Sequence, residues 1–449
     1  MAMHIKGIGR IKLEHEAIYK IIEDGDRIIV NTIEKVASKV QKLSKASETE
    51  EAGFQDIIIL DDLFPHPVSA FRFQEYNSYL EHFEKIKIYS TGSALEYINE
   101  EKPLETVIND YEEKFPQFKG KVERYTPKTI LHPKTILCSE RVPQSKVAYT
   151  MFLNNIYSCM DTIERCKVPF VFTLYPGGGF YLNDKISDKK LKKVFSSPYF
   201  RKVIVNQKIT YDYLVDNDLC EAEQIQNIFG VVTPLKMLEK EYNDKKYFGR
   251  DKSVLDICFV SHKYTKRGVD KGYDVFIEVA HELAAKYHDI HFHVVGGFDE
   301  DEIDVTKIGD RIHFYGPQLS DWFHEFYRDK DIILSPNIPF KLRDGAFDGF
   351  PTGCCTDAGL HKVSIFCTDE LHESTGKYED EEEMVIIPHN TQEIMKIIEN
   401  YYHKPGKLQE IAEAGCLKIK DLYSYENQIA PRIKILEDVI KDQKEVIKA

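Results

Sequence analysis

The chain lacks an excess of positive charge, which argues against a general nucleic-acid binder. Its 449 residues contain 60 lysines and arginines against 74 aspartates and glutamates, a net charge of -14. Affinity for a phosphate backbone depends largely on a basic surface. We therefore expect no nucleic acid among its main partners.

Long apolar runs are also missing. Eighteen consecutive apolar residues occur nowhere, and the segment from Met1 to Glu16 lacks the apolar stretch of a signal peptide. The nine cysteines form no CxxC pair and no cluster with zinc-ligand spacing. Their apolar surroundings are typical of buried, reduced thiols. We therefore expect a cytoplasmic protein, and peripheral contact with a membrane stays open.

Several well-defined catalytic motifs are absent from the sequence. It contains no GxxxxGK[ST] phosphate loop, no GxSxG nucleophile elbow and no HExxH zinc helix. No GxGxxG follows the first predicted strand of either half, which argues against a nicotinamide dehydrogenase. Any active site must therefore be sought in other loops.

The sequence does contain a repeated alternation of short apolar runs and amphipathic segments. The runs have the continuous hydrophobicity of buried parallel strands. They include residues 56–60, 86–89, 170–174, 202–205, 253–260 and 290–295. Helical spacing lies between them, for example over 147–165 and 209–217. The alternation, in a chain of this length, predicts two doubly wound α/β domains with parallel sheets.

Composition suggests where these domains begin and end. Residues 1–50 carry one apolar stripe at helical spacing and predict an N-terminal helical extension, used for packing or for homo-oligomerisation. Residues 51–240 form the first predicted domain and residues 250–424 the second, with a charged stretch between them. Residues 425–449 predict a final helix with one apolar face.

Three loops at predicted strand ends carry groups that suit a phosphorylated substrate. Residues 261–272 contain four cations, which either bind a diphosphate or form a solvated basic loop. Residues 344–353 bring backbone N–H groups toward a phosphate or form a tight turn before a helix. Residues 175–180 contain three consecutive glycines, which let the backbone approach a ligand or let the loop move. Ligands bind beyond the carboxyl ends of parallel strands, so these loops predict a site in the cleft between the domains.

Taken in order, these segments resemble glycosyltransferase family 4, the retaining enzymes of the GT-B fold. Residues 270–280 are similar to the family's EKG…LLEAF segment, and 294–297 to its IVGGG strand end. Residues 312–316 resemble VHFLG, and 357–369 match EAMACGLPVVATD in length. The resemblance covers the second predicted domain almost completely and is looser in the first.

This resemblance implies a fold and a reaction. The fold is the GT-B architecture, in which two Rossmann-like domains face each other across a cleft and the terminal helix joins the first domain. The reaction moves a sugar from a nucleoside diphosphate sugar to a hydroxyl of a glycan or glycoconjugate, with retention. It needs no metal and no other cofactor, because the departing phosphate helps to deprotonate the acceptor.

The resemblance also implies roles for individual residues. Lys271 binds the donor phosphates, with His262 or Lys263 as a second cation. Asp357 holds the ribose hydroxyls, and Lys271, Asp348 and Asp357 are the implied catalytic residues. The other implied donor-binding residues are Gly296, Gly297, Gly316, Gly349, Phe350, Pro351 and Thr352.

The first predicted domain contributes a loop for the acceptor or the sugar, formed by Tyr175, Gly177, Gly178 and Gly179. Two features differ from the family pattern. Many members have a histidine where this chain has Tyr175, and the family's two glutamates correspond to aspartates set one residue further apart. Two other functions share the fold: a nucleotide-sugar epimerase, which needs no acceptor groove, and a non-catalytic glycosyltransferase-like subunit.

Overall fold

The computed structural model describes residues 55–98, 100–125, 145–301 and 303–448. The predicted helical extension of residues 1–50 lies outside these residues. Within the described part, two parallel sheets form two α/β domains, which confirms the predicted fold class.

The first sheet is built from the apolar runs of the first half. Its strands are β1 (Gln55–Asp61), β2 (Ile86–Ser90), β3 (Val122–Arg124), β4 (Ser145–Met151), β5 (Phe170–Leu174), β6 (Phe200–Val205) and β7 (Ile225–Asn227). Among the described residues they lie in the order β3-β2-β1-β4-β5-β6-β7, all parallel. The direction of winding reverses between β1 and β4, where a doubly wound sheet opens a crevice for ligands.

Helices cover both faces of this sheet, so nearly every residue of β1, β4 and β5 is buried. They are α1 (Ala70–His82), α2 (Leu104–Lys114), α3 (Leu153–Cys166), α4 (Lys185–Phe195) and α5 (Lys208–Asp216). The short helix α6 (Leu235–Glu239) follows them in the chain, but its Leu238 packs in a core with residues of the second sheet. Asp184 caps α4 in the usual way, because its carboxylate accepts hydrogen bonds from the N–H groups of Ile186 and Ser187.

One predicted helix was wrong at its start. The expected helix over 147–165 is strand β4 followed by helix α3, which begins at Leu153. Strand β4 pairs with β1 along one edge and with β5 along the other, and helices cover both faces of the sheet, so six of its seven residues are buried. A short apolar run without alternation does not distinguish a central strand from a buried helix.

The second sheet repeats the arrangement of the first. Its strands are β8 (Leu255–Val260), β9 (Ile290–Val295), β10 (Ile312–Phe314), β11 (Ile332–Ser335), β12 (Ser364–Cys367) and β13 (Val385–Ile386). In the described chain they lie in the order β10-β9-β8-β11-β12-β13, again all parallel. Here the winding reverses between β8 and β11, so the carboxyl ends of these two strands flank the second crevice.

The remaining helices belong mainly to the second half. They are α7 (Tyr273–Lys286), α8 (Phe323–Tyr327), α9 (Gly353–Leu360), α10 (Thr391–Tyr402), α11 (Pro405–Leu422) and α12 (Tyr425–Lys448). Short 3₁₀ turns lie at Glu96–Ile98, Pro116–Phe118, Ala222–Gln224, Lys266–Gly268, Gly309–Arg311 and Ser320–Trp322. Each helix in the described part of the chain is too short or too polar to cross a bilayer.

Helix α12 returns to the first sheet. Its buried side chains Ile429, Ile433 and Leu436 belong to the same hydrophobic core as Ile57 of β1 and Val147 of β4. These side chains recur at helical spacing and form a buried apolar face of the helix. The core of the first sheet is therefore completed by the last helix of the chain.

Candidate active site

A cavity of about 850 Å³ lies between the two domains. The carboxyl end of β8, the residue Ser335 at the end of β11, and the first-domain segments 68–71 and 231–234 all contribute to its walls. The cavity therefore lies at the reversal point of the second sheet and faces the first domain. This is the position at which doubly wound sheets bind nucleotides and other ligands.

The basic loop after β8 brings one cation into this cavity. Lys271 lies in the wall with its side chain only 12% exposed, and its ammonium forms an ion pair with the carboxylate of Asp348. The ring of Tyr264 lies beneath the same ammonium, at 5.2 Å from the ring centroid. His262 also lines the cavity. Two loops that are far apart in sequence thus meet because both follow strands at the reversal point.

The amino end of helix α9 forms another part of the wall. Thr352, Gly353 and Cys354 line the cavity, and helix α9 begins at Gly353. The first N–H groups of a helix have no partner within it and carry a partial positive charge, which suits an anion. Burial raises the pKa of the Cys354 thiol to about 12, so this side chain is a neutral thiol at physiological pH. Lys271 and this helix end together make the cavity suitable for a phosphate group.

A second group of side chains lies further along helix α9. His361 Nδ1 is 2.8 Å from the Asp357 carbonyl oxygen and 3.3 Å from Asp357 Oδ1, and the ring of Tyr242 packs at 4.0 Å from the His361 ring. All three residues line the cavity, and Asp357 Oδ1 has no hydrogen-bond partner. Burial raises the pKa of Tyr242 to about 12, and the charge of Asp357 adds to this effect. The Asp357 carboxylate therefore lies in the cavity wall beside aromatic rings, where it can accept hydrogen bonds from the hydroxyl groups of a ligand.

Four of the predicted donor residues lie together but outside the cavity lining. The Gly296 N–H donates a hydrogen bond to the Gly316 carbonyl at 3.0 Å, and a methyl group added at Gly297 would contact Lys263 Cβ at 3.6 Å. Gly296 has a φ of +131° and lies against the Ser261 carbonyl, so a side chain there would clash with the backbone. These residues shape the carboxyl ends of β8, β9 and β10 next to the cavity.

The loop before helix α9 divides its residues between the cavity and the core. Gly349 and Thr352 line the cavity. The side chain of Phe350 is buried in the second domain, with its ring centroid 6.4 Å from that of Tyr378, and Pro351 follows it outside the lining. The Phe350 side chain therefore anchors the loop in the core of the second domain, while Gly349 and Thr352 face the cavity.

A second cavity of about 380 Å³ adjoins the first and shares Asp348, Gly349 and Tyr264 with it. Its first-domain wall contains the predicted loop residues Tyr175, Gly177 and Gly178. The rings of Phe71 and Phe152 complete this wall, with their centroids 5.1 Å and 5.6 Å from that of Tyr175. Gly179 is outside the lining, where its backbone approaches the side chain of Asn154. Asp348 therefore stands between a cation-lined cavity and an aromatic one.

Behind Tyr175 lies a buried ion pair between Arg432 of helix α12 and Glu75 of helix α1. Both side chains are fully buried, with Arg432 Nε 3.5 Å from Glu75 Oε2. The Tyr79 hydroxyl donates to Glu75 at 2.8 Å, and the Tyr175 hydroxyl lies 3.3 Å from the same carboxylate. Burial lowers the pKa of Arg432, but the opposing effects of Tyr175 and Glu75 raise it overall, so the guanidinium stays charged. The Tyr175 ring thus lines the cavity, while its hydroxyl group contacts the buried Glu75 carboxylate.

Comparison with known proteins adds a family to this geometry. Residues 255–402 match the family model described as glycosyl transferases group 1. This part of the chain is a glycosyltransferase domain. The match runs from the first residue of β8 to the last residue of α10 and so includes Lys271, Asp348 and Asp357. No curated protein matches the sequence.

Solved structures share the fold at low sequence identity. A glycosyltransferase from Rickettsia africae is 15% identical, with a TM-score of 0.59 over 87% of this chain and 99% of that one. HepE from Anabaena, solved in complex with UDP, is 14% identical, with a TM-score of 0.59 over 87% and 100% of the two chains. Sucrose-phosphate synthase from Thermosynechococcus elongatus is 11% identical, with a TM-score of 0.55 over 88% and 100%. The chain therefore has the GT-B fold.

Proposed function

We propose that this protein transfers a sugar from a nucleoside diphosphate sugar to a hydroxyl group of a glycan or glycoconjugate. The observation that carries the proposal is the shared cavity of Lys271 and the amino end of helix α9 at the reversal point of the second sheet. A cation and free backbone N–H groups are suited to the diphosphate. Asp357, which lines the same cavity, is suited to the ribose hydroxyls.

In this proposal the protein contributes by positioning the substrates and by stabilising charge. As the bond from the sugar to the diphosphate breaks, negative charge develops on the departing phosphate. Lys271 and the helix end lie where they can stabilise that charge, and His262 adds a polar group to the same wall. Retention and independence from metal ions belong to the proposal because the family 4 resemblance implies both.

The ion pair between Lys271 and Asp348 acquires a role in the same scheme. Asp348 forms an ion pair with the ammonium group that the diphosphate would bind. The arriving diphosphate takes over this ammonium and releases Asp348, which lies at the border of the two cavities. The released carboxylate is then available to a hydroxyl of the sugar or of the acceptor. Donor binding thus prepares the second half of the site.

The second cavity supports transfer over epimerisation. An epimerase works on one substrate, whereas a transferase needs space for a second substrate beside the reacting sugar. The cavity of about 380 Å³ provides that space next to Asp348, and its wall of Phe71, Phe152 and Tyr175 suits the apolar face of a sugar ring. The proposal also includes a cytoplasmic location for the protein. Its proposed partners are a nucleotide sugar and a glycan.

The direct test is a transfer assay with a panel of nucleoside diphosphate sugars, beginning with UDP sugars because HepE is solved with UDP-glucose. We expect release of nucleoside diphosphate together with a new glycoside, detected by mass spectrometry. We expect the product anomer to match that of the donor by NMR, and the rate to be unchanged by EDTA. Release of a free epimer would replace transfer with the epimerase alternative. Binding of donor without turnover across the panel would identify a non-catalytic subunit.

A further inference from the structure

Helix α5 of the first domain begins without a cap from its own sequence. The position before it is Gln207, whose side chain makes no capping hydrogen bond and is fully buried. Instead, Gln207 Nε2 donates to the backbone carbonyl of Asp348 at 3.0 Å. A first-domain side chain thus holds the second-domain loop that carries Asp348.

The missing cap of helix α5 comes from the second domain. The carboxylate of Glu373 accepts the N–H of Lys208 at 2.8 Å with one oxygen and the N–H of Ile209 at 2.7 Å with the other. Glu373 is only 4% exposed. Its own position is fixed by Asp369, which accepts the N–H groups of Glu373 and Ser374 at 2.8 Å each.

These contacts are stronger than an ordinary surface contact between domains. The first N–H groups of a helix have no acceptor within it, and they carry the positive end of the helix dipole. A buried carboxylate that accepts two of them forms charge-assisted hydrogen bonds. Burial raises the pKa of Glu373, and the hydrogen bonds from Ile209 and Lys208 act in the opposite direction. Separating the domains would break the hydrogen bonds between these N–H groups and the Glu373 carboxylate.

We propose that residues 207–209, together with Glu373, form an interdomain joint that holds the two domains together and fixes the position of Asp348 at the border of the two cavities. Gln207 and Glu373 are then positioning residues of the proposed transfer reaction. Three consecutive residues of the first domain make this joint: the first fixes the Asp348 backbone, and the next two bind Glu373. The proposal rests on the proposed function for its catalytic part, whereas the joint itself is a property of the fold.

The loop that carries Asp348 has a second set of contacts with the first domain. These contacts separate the effect of the joint from simple attachment of the loop. The Leu182 N–H donates to the Gly345 carbonyl at 2.9 Å, and Arg343 forms an ion pair with Asp184 at 3.1 Å. These contacts hold the outer part of the loop to the first domain. Gln207 acts at Asp348 itself, so its loss should disturb the alignment of this carboxylate while the loop stays attached.

The test uses Glu373→Ala and Gln207→Met in the full chain, with Glu370→Ala as the matched control because Glu370 is an exposed glutamate of the same segment. Hydrogen exchange of the Lys208 and Ile209 amides and the radius of gyration by small-angle scattering report on the joint. In Glu373→Ala we expect amide exchange to rise by about tenfold or more, the effect of a lost charge-assisted hydrogen bond. We also expect a larger radius of gyration than in the control.

For Gln207→Met we expect kcat to fall by about tenfold while the affinity for UDP alone changes by less than about twofold, because alignment is lost and the nucleotide contacts remain. Control-like exchange and scattering in Glu373→Ala would overturn the joint, and wild-type kcat in Gln207→Met would overturn the alignment. If Glu373→Ala does not fold, Glu373→Gln is measured in the same way. A wild-type chain that transfers no sugar would refute the proposed function, while exchange and scattering would still decide the joint.

Discussion

Two pairs of opposite charges show how differently the two regions of this molecule use the same chemistry. In the first domain, Arg432 and Glu75 are both fully buried and surrounded by tyrosines. At the cleft, Lys271 is 12% exposed and Asp348 37% exposed, and both line a cavity. The first pair has no access to a ligand, whereas the second can exchange its partner for one.

The surroundings decide which role a pair can have. A buried pair needs each member to compensate the other, so it fixes the elements that carry it, here helices α1 and α12. A pair at a cavity wall is partly solvated and contributes little to stability. The buried pair of Arg432 and Glu75, the sealed pair, is therefore structural. The pair of Lys271 and Asp348 at the cavity wall, the open pair, is available for binding. The following experiments test this division.

The largest effect is expected from breaking the sealed pair. Glu75→Gln leaves Arg432 as a buried charge without a carboxylate, which should cost about 3–5 kcal/mol of unfolding free energy. Urea unfolding followed by circular dichroism measures this loss. The control is Glu437→Gln on helix α12, which also carries Arg432. Its partner His82 lies 3.1 Å away at the surface, and the change should cost at most about 1 kcal/mol. Equal losses in the two variants would contradict a structural role for the sealed pair.

Breaking the open pair should affect binding and leave folding nearly intact. Lys271→Ala removes a charge-assisted contact worth about 1.5–3 kcal/mol, so affinity for a UDP sugar should fall at least about tenfold. Calorimetry gives the affinity, and the same urea experiment should show little change. Lys266→Ala is the control, because Lys266 belongs to the same basic loop but lies outside the cavity lining. Unchanged affinity in Lys271→Ala would remove this residue from the donor site.

The smallest effect has the opposite sign and tests the exchange of partners. Asp348→Asn frees Lys271 from its carboxylate, so UDP alone should bind more tightly, by up to about fivefold for a pair worth about 1 kcal/mol. Turnover should fall in the same variant, since the carboxylate at the border of the cavities is lost. Weaker UDP binding in Asp348→Asn, measured by the same calorimetry, would show that Asp348 does not compete with the phosphates.

The sequence was sufficient for the architecture and for much of the cavity. The continuous apolar runs at 170–174, 253–260 and 290–295 predicted parallel strands, and the structure confirms all three, with the second beginning at Leu255. His262, Lys271 and Asp348 lie in loops after β8 and β11, whose carboxyl ends lie side by side where the winding reverses. Topology alone therefore brings them together. The central strand β4 was missed, because burial on both faces removes the alternation that identifies a strand.

The residues that sequence reasoning missed act across long distances in the chain. Gln207 and Glu373 form hydrogen bonds with the other domain, and His361 in the cavity wall packs against Tyr242. No local spacing encodes such contacts. One signal was present: Gln207 occupies a helix start where serine, threonine, aspartate or asparagine is preferred. A helix start without a capping residue indicates that the acceptor comes from elsewhere in the fold.

The return of helix α12 also sets an order of events during synthesis. Residues 255–402 leave the ribosome before Ile429, Ile433 and Leu436, so the glycosyltransferase domain has all its strands while the first domain still lacks part of its core. Chains emerge from the amino end, and domains generally fold as units. Until helix α12 has been synthesised, Val147 of β4 lacks the side chains that cover it in the folded protein, and Glu75 lacks its ion-pair partner Arg432. The domain that is translated first is the one that is completed last.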